Sequence, residues 1–348
     1  MAQPFLLENF LNSGALLKVK SGSFIAAWGP FESLSTRPHD ELVFYVPDFF
    51  LDDPAPWKRP AGWCEWNVNE CPEKGVSPKI DWQPPSHDAF AEVFLRTEQL
   101  IQSKELTKLV PVMFEEGMIT NEQQGDHRGS PLRWLLSRLG EIPKSVWPYG
   151  IWDETSGMFG ATPEMLFEQS GGFLKTMSLA GTAPIRDTNR LVSHAKEKRE
   201  HDLVIEGMTD RLKSFGEVVV GAREIIEMGQ LAHLKTTIDV KLKQDVSCEE
   251  VVKALHPTPA LGAVPRDRGM SLLRELDRVQ QRGKFGAPFG VAWPDGRARF
   301  IVAIRALQWK GRQMRIGAGC GLVDGSTLQR EWEELHLKRE SVKRMFQV

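Results

Sequence analysis

The chain has few cysteines, no excess of one charge and no long apolar run. Its 348 residues include four cysteines with no CxxC pair, which is typical of a reducing compartment rather than of a disulfide framework. Lysine and arginine total 44 against 46 acidic residues, so a nucleic-acid-binding role has no electrostatic support. The N-terminus lacks a basic region followed by a long apolar one. We therefore expect a soluble cytoplasmic protein that neither crosses a membrane nor binds nucleic acid.

Strand-like and helix-like segments follow one another without a linker, which predicts one large α+β unit. Residues 15–20 and 24–29 flank a Ser–Gly–Ser turn and predict a β-hairpin. Residues 52–85 are rich in proline and tryptophan, which disfavours regular structure and predicts a long ordered loop. Ser86 is placed to cap the helix that follows.

Three charged residues near the C-terminus share one face of a predicted helix. Glu331, Glu334 and Lys338 stand at i, i+3 and i+7, so their side chains project together. Taken alone, such a pattern is usually a solvated face with a Glu–Lys pair. The preceding segment 315–326 changes that balance, because an apolar strand runs there into a glycine-rich turn where the backbone can approach a ligand.

Several other polar residues have an ordinary explanation when considered singly. Lys108 begins a strand, where a lysine is usually solvated, and Glu200 lies in the charged half of a predicted helix. Glu164 stands in an apolar segment, either as a strand-edge charge or as a functional carboxyl group. His233 fits a hydrogen-bonded core histidine, and Arg305 among apolar residues calls for a structural carboxylate or an anionic ligand.

The order and spacing of these segments resemble one family, the chorismate-utilising enzymes. That family includes isochorismate synthases, salicylate synthases and the large subunits of anthranilate and aminodeoxychorismate synthases. The resemblance covers residue 86 to the end, whereas the N-terminal region matches poorly. The blocks that carry it are KLVPV, ATPEMLF, SLAGTA, REHDLVIEGM, AHLKT, LHPTPALG, VAIRA, GAGCGLVDGS and EWEELHLKRE.

The resemblance implies a fold and a division of the chain. The expected fold is α+β, with two stacked antiparallel sheets flanked by helices and the site deep between them. Residues 1–85 would form a variable β-rich part packed on the same unit, and residues 86–348 the chorismate-binding catalytic core.

The resemblance also implies residue roles. Lys108 matches the general base and Glu164 the general acid. Glu200 and Glu334 match direct magnesium ligands, and Glu331 matches a carboxylate that holds the metal through water. Residues that match or neighbour substrate contacts are Gly181, Thr182, His233, Ala260, Leu261, Arg305, Gly319 and Lys338.

These roles suit the chemistry of isochorismate formation, in which water attacks C2 of chorismate as the C4 hydroxyl leaves. The reaction needs a base on one side of the ring and an acid on the other. The ring carboxylate of the substrate favours a hard cation such as Mg²⁺, which prefers oxygen ligands. An arginine can hold the enolpyruvyl carboxylate in bidentate geometry.

Within the family, the sequence is most similar to isochorismate synthases. Ala180 stands where aminodeoxychorismate synthases carry a nucleophilic lysine, and anthranilate synthases lack a lysine equivalent to Lys108. Salicylate synthases differ at the Ala260–Leu261 pair. Phe285 departs from relatives that carry an aromatic hydroxyl there. Salicylate synthase and a catalytically silent chorismate-binding paralogue remain the alternatives, and the product could serve menaquinone, siderophore or salicylate synthesis. We expect a monomer.

Overall fold

A computed structural model of the chain describes residues 5–67, 75–121, 131–193, 195–228 and 231–348. The first strands are β1 (Gly14–Lys20), β2 (Ser23–Trp28), β3 (Glu32–Leu34), β4 (Val43–Tyr45), β5 (Trp57–Arg59), β6 (Gly62–Asn67), β7 (Ile80–Gln83), β8 (Lys108–Leu109), β9 (Val112–Ile119) and β10 (Trp147–Trp152). They are followed by β11 (Ser156–Thr162), β12 (Met165–Ser170), β13 (Phe173–Pro184), β14 (Gly216–Met228), β15 (Leu231–Leu242), β16 (Ala263–Val264), β17 (Pro288–Ala292), β18 (Ala298–Val302), β19 (Ala306–Lys310), β20 (Gln313–Gly319) and β21 (Leu322–Val323). The helices are α1 (Leu7–Asn12), α2 (His87–Gln102), α3 (Leu132–Ser137), α4 (Thr188–Ser193), α5 (Ala195–Leu212), α6 (Cys248–Leu255), α7 (Arg266–Gln280) and α8 (Leu328–Phe346).

The strands form two large antiparallel sheets that pack face to face. Sheet A has the order β6-β2-β1-β10-β11-β19-β20-β9-β7, and sheet B has the order β14-β15-β13-β12-β18-β17-β4-β5-β3. A small sheet C has the order β16-β8-β21. Aromatic side chains join the large sheets: Tyr149 of sheet A lies 5.2 Å from Phe289 of sheet B, measured between ring centroids. The expected α+β fold with two stacked antiparallel sheets is confirmed.

Two helices border the site and are held by apolar packing. Helix α5 packs on β13 and buries Leu203, Val204, Met208 and Leu212. Helix α8 packs on β20 and buries Leu335, Val342 and Phe346. Because the apolar stripes of these helices face different parts of the sheets, their charged faces are left to meet beside the core.

Two of the places where the chain crosses between the large sheets adjoin each other. Residues Pro163 and Glu164 connect β11 of sheet A to β12 of sheet B. The second crossing runs through residues 303–305, from β18 of sheet B to β19 of sheet A. Hydrogen bonds tie the two crossings together, from Val302 N–H to Glu164 O (3.0 Å) and from Ala161 N–H to Arg305 O (3.2 Å). Glu164 and Arg305, which lie in these two crossings, are therefore placed at one corner of the sandwich.

Some predictions about local structure were wrong. Residues 52–85 contain the strands β5, β6 and β7 rather than only a loop, since tryptophans that fit a pleated surface are buried there, as at Trp57 and Trp66. Residues 68–74 of that stretch, including Cys71, lie outside the described residues. The hairpin of β1 and β2 and the Ser86 cap of α2 are confirmed, the latter by a 3.2 Å hydrogen bond from Ala89 N–H to Ser86 Oγ.

Among the described residues, no helix is both long enough and apolar enough to span a membrane.

Candidate active site

A pocket lies at the corner where the sheets meet. All eight residues expected to bind substrate line it, together with the expected general acid and one of the expected metal ligands from each of the two bordering helices. They are Glu164, Gly181, Thr182, Glu200, His233, Ala260, Leu261, Arg305, Gly319, Glu334 and Lys338.

Behind one wall of the pocket, carboxylates and ammonium groups alternate. Lys108 Nζ donates to Glu200 Oε1 at 2.9 Å. Lys196 Nζ lies 3.4 Å from Glu200 Oε2 and 3.2 Å from Glu331 Oε1. Lys338 Nζ lies 2.7 Å from Glu334 Oε1. We call these six residues the carboxylate–lysine cluster.

Secondary structure accounts for the placement of the cluster. Lys108 belongs to β8, the central strand of sheet C, where it pairs with Val264 on one side and Val323 on the other. This position explains why Lys108 is completely buried, contrary to the usual solvation of a lysine that begins a strand. Glu200 and Glu331 are also buried and come from α5 and α8.

A glycine lets the backbone approach this cluster closely. A Cβ atom added at Gly321 would lie 2.1 Å from Glu200 Oε1 and 2.9 Å from Lys108 Cε. The glycine-rich segment before α8 therefore provides room for a buried carboxylate and its lysine partner.

The cluster separates the pKa values of its carboxyl groups. Burial alone would raise the pKa of Glu200, but the charges of Lys108 and Lys196 outweigh it and lower that pKa to about 2. For Glu331, burial raises the pKa to about 7 despite the charge of Lys196, and the carboxylates of Glu334 and Glu200 add to the rise. The two buried glutamates of the cluster therefore differ widely in how strongly they hold a proton.

Glu164 stands apart from that cluster at the sheet corner. Burial raises its pKa to about 7, although a hydrogen bond from Thr258 and the charges of Lys108 and Lys338 oppose the rise. Thr258 Oγ1 donates to Glu164 Oε1 at 3.3 Å. A carboxyl group with such a pKa can hold a proton near neutral pH and release it to a bound molecule.

Arg305 places a buried positive charge in the second crossing, which adjoins that of Glu164. Its φ is 55°, an unusual backbone conformation for a residue other than glycine, and its side chain contacts the Ser341 hydroxyl of α8. Among the described residues no carboxylate lies within ion-pair distance of Arg305. Burial lowers its pKa to about 10, which still leaves it charged at neutral pH. A buried, unpaired guanidinium is suited to bind an anion.

Lys338 lies near that guanidinium on α8. Besides its contact with Glu334, it donates to Gly319 O at 2.7 Å. The arginine at the crossing and the lysine on the helix therefore present two cations to the pocket.

The Thr182–His233 pair forms another wall of the pocket. The two residues are partners across β13 and β15, and Thr182 Oγ1 lies 3.1 Å from His233 Nδ1. Gly181 interrupts the register there with φ of 78°, a conformation that favours glycine. His233 Nε2 is buried without a hydrogen-bond partner among the described residues. Burial lowers the pKa of His233 well below its usual value, so the ring is neutral. Its Nε2 is available for a hydrogen bond to a ligand.

Apolar residues close the pocket on a third side. Ala260 and Leu261 belong to the loop before β16, and Leu261 is 6% exposed. Phe285 also lines the pocket and packs edge-on against Phe114 at 5.6 Å. The absence of a hydroxyl group at Phe285 leaves that part of the wall apolar.

A sequence profile described as "Chorismate binding enzyme" matches residues 69–347. The chain belongs to the chorismate-binding enzyme family. This match begins before the region in which the resemblance was evident by motif.

Curated relatives and solved structures agree with that membership. The chain is 31% identical over 216 residues to "Isochorismate synthase MenF" of Bacillus subtilis, covering 59% of this chain and 45% of the relative. It is 34% identical over 195 residues to "Salicylate biosynthesis isochorismate synthase" of Pseudomonas aeruginosa, covering 53% and 40%. The chain thus spans about half the length of these relatives or less.

The structure is similar to that of a putative 2,3-dihydroxybenzoate-specific isochorismate synthase, DhbC from Bacillus anthracis. The TM-score is 0.82 at 20% identity, with 96% of each chain covered. The menaquinone-specific isochorismate synthase MenF of Escherichia coli gives a TM-score of 0.77 at 17% identity, covering 96% of this chain and 88% of the other. These likenesses establish the family fold.

Four residues near the site were missed from the sequence. Thr258 lies within the quoted LHPTPALG block, and Lys196 precedes Glu200 by four residues, a spacing that signals a helical Lys–Glu pair. Ser341 lies one turn after Lys338 on α8. His201 is buried and its Nε2 lies 2.9 Å from Thr236 Oγ1, which fastens α5 to sheet B. His201 lies within the REHDLVIEGM block, whereas no sequence signal distinguished Ser341.

The carboxylate–lysine cluster contains the oxygen donors that magnesium prefers, but these donors are not already arranged around a metal position. In the described part of the chain, no group of three or more His, Cys, Asp or Glu side chains is arranged to hold a metal. However, Glu200, Glu331 and Glu334 offer hard oxygen donors that lie close enough to raise the pKa of Glu331. In this structure the ammonium groups of Lys108, Lys196 and Lys338 compensate the charge of these carboxylates.

Gly321→Ala tests how tightly the cluster is packed. The added methyl group must displace Glu200 from Lys108, so we expect the free energy of unfolding to fall by about 1–3 kcal/mol, the usual cost of overpacking. Urea unfolding measures the change. In the control Gly140→Ala, a Cβ would have no neighbour within 4 Å, and the free energy should change by less than about 0.5 kcal/mol. Equal stability of both variants would contradict the close packing.

Proposed function

We propose that the chain is a Mg²⁺-dependent isochorismate synthase. The observation that carries the proposal is Glu164, a buried carboxyl group whose pKa of about 7 suits a general acid and which shares a pocket with two cations. The names of the curated relatives support the same activity, as does the expected base Lys108 close to the site. The substrate would be chorismate, and the product isochorismate.

Substrate binding follows from the charges of the pocket. Arg305 and Lys338 would receive the enolpyruvyl carboxylate, since Arg305 lacks a carboxylate partner among the described residues. The backbone at Gly319 lies beside Lys338 and leaves room for that group. Thr182 and His233 would contact the ring, with Nε2 of His233 available for a hydrogen bond.

The reaction would divide between two proton-transfer groups. Lys108, as a neutral amine, would take a proton from water while the oxygen of that water bonds to C2. Glu164 would give its proton to the departing C4 hydroxyl, which leaves as water. The ring double bonds shift, and no net oxidation occurs. Lys108 donates to Glu200 in this structure, and a neutral amine can keep that hydrogen bond while its lone pair takes the proton.

Glu200 and Glu334 would hold Mg²⁺ directly, and Glu331 through water. The ion would supply positive charge for the ring carboxylate of chorismate. Glu200 is suited to this role because its buried carboxylate already has a cation at each oxygen, Lys108 at Oε1 and Lys196 at Oε2.

Glu334→Gln tests the metal assignment. Loss of one carboxylate should abolish turnover of chorismate and weaken Mg²⁺ binding while the fold remains intact. Product chromatography, calorimetric titration with Mg²⁺ and circular dichroism measure the three effects. Glu333→Gln changes an exposed carboxylate on the same helix and should behave as the unmodified protein does. Normal turnover of Glu334→Gln at low Mg²⁺ would exclude Glu334 as a ligand.

Lys108→Ala and Glu164→Gln test the base and the acid. Each should slow the chemical step by a factor of roughly 10²–10⁴, the range typical of one proton-transfer group. In the unmodified protein, kcat/KM should fall as the pH rises through about 7, because Glu164 loses the proton it must donate.

That limb of the pH profile should be absent in Glu164→Gln, while chorismate binding persists in both variants. Stopped-flow assays across pH give the comparison. A Lys108→Ala variant that converts chorismate at the normal rate would require a different base.

Leu261→Ala tests the choice of isochorismate over salicylate. Leu261 is bulky and lines the pocket, so it can restrict the movement of the enolpyruvyl side chain that elimination requires. The unmodified protein should release isochorismate with little salicylate, and the variant should raise the salicylate fraction. Chromatography over a time course measures the ratio.

Leu255→Ala provides the matched control, since Leu255 is fully buried in the core outside the pocket lining. It should lower stability without changing the product ratio. If salicylate is the main product of the unmodified protein from the first turnovers, the chain is a salicylate synthase. If chorismate binds but no product forms, it is a silent paralogue.

A further inference from the structure

Lys196 bridges two of the carboxylates proposed to bind magnesium, yet the reaction assigns it no role. It lies on α5, one turn before Glu200, and its Nζ is 3.4 Å from Glu200 Oε2 and 3.2 Å from Glu331 Oε1. Its side chain is 11% exposed. The bridge therefore joins α5 to α8 inside the protein.

The bridging group is a cation. A lysine side chain is positively charged at neutral pH, and the carboxylates of Glu200 and Glu331 both lie within ion-pair distance of Lys196 Nζ. With Lys108 on the other oxygen of Glu200, both carboxylate oxygens of that ligand face ammonium groups. A divalent cation on Glu200 would meet strong repulsion from Lys196 in this position, since like charges a few ångströms apart in a buried site interact strongly.

The Lys196 side chain is long enough for its ammonium group to move away from the metal ligands. A lysine has a flexible four-carbon stem, so its ammonium group can move by several ångströms without a change in the backbone. Removing the bridge without a replacement would leave the buried carboxylate of Glu331 without its lysine partner, which is strongly destabilising. When the Lys196 ammonium group moves away, another cation must therefore take its place beside the carboxylates.

We propose that Lys196 is an internal counter-cation, which holds Glu200 and Glu331 together in the metal-free protein and moves away when Mg²⁺ binds. The proposal rests on the proposed function in one respect, that Mg²⁺ binds these carboxylates. Lys196 is a positioning residue: it keeps the two helices in place for a metal with which it competes.

Lys196→Met tests the proposal by metal binding, without substrate and without turnover. Calorimetric titration with Mg²⁺ should give a Kd about ten times lower than that of the unmodified protein, because a competing charge is gone. In EDTA the variant should melt at a lower temperature than the unmodified protein, and saturating Mg²⁺ should restore most of the loss.

Lys198→Met is the matched control, since it removes the same charge two residues along the same helix, from a side chain that forms no ion pair with another described residue. Its Mg²⁺ affinity and melting temperature should stay near those of the unmodified protein. Equal or weaker Mg²⁺ binding by Lys196→Met, relative to this control, would overturn the proposal.

A second measurement uses the unmodified protein and so does not depend on the folding of a variant. The rate at which an amine-reactive reagent labels Lys196, read by peptide mass spectrometry, should rise when Mg²⁺ is added, whereas the labelling of Lys198 should not change. Unchanged labelling of Lys196 in protein that binds Mg²⁺ would overturn the proposal. Absence of any Mg²⁺ binding by the unmodified protein would instead contradict the metal dependence of the proposed function.

Discussion

The burial of like charges where α5 meets α8 is the constraint on which the site depends. Glu200 and Glu331 are almost completely buried, and each is compensated by a lysine rather than by solvent. Removing one partner from such a pair is typically far more costly than replacing both, because a lone buried charge remains. The site is thus a set of interdependent charges, in which any ligand must be accommodated by exchange of partners.

The fold provides for these charges by placing chain crossings and helices at one corner. Two adjoining crossings between the large sheets carry Glu164 and Arg305, and main-chain hydrogen bonds tie these two crossings together. One carboxyl group therefore lies beside Thr258 with a pKa of about 7, whereas Glu200, paired with lysines, has a pKa of about 2. This difference suits the opposite roles proposed for the two glutamates, as proton donor and as metal-binding anion.

The sequence allowed part of this arrangement to be predicted. Helical spacing put Glu331, Glu334 and Lys338 on one face, and the structure brings all three to the site. Spacing along the chain carries no information on burial, however, so Lys108 and Glu200 resembled solvated residues until the motif resemblance was considered. The burial of Lys108 comes from its neighbours Val264 and Val323, which are distant in sequence. The contact of Arg305 with Ser341 likewise depends on how α8 packs. The strands within residues 52–85 were not predicted because the proline content of that stretch disfavours regular structure.

The most direct test of the account is the source of the new oxygen in the product. Chorismate is incubated with the protein and Mg²⁺ in water enriched in ¹⁸O, and the product is isolated and examined by mass spectrometry. The account predicts isochorismate with one solvent-derived oxygen at C2 and loss of the original C4 hydroxyl oxygen. Isochorismate without the isotope, or unchanged chorismate under conditions in which both chorismate and Mg²⁺ bind, would contradict it.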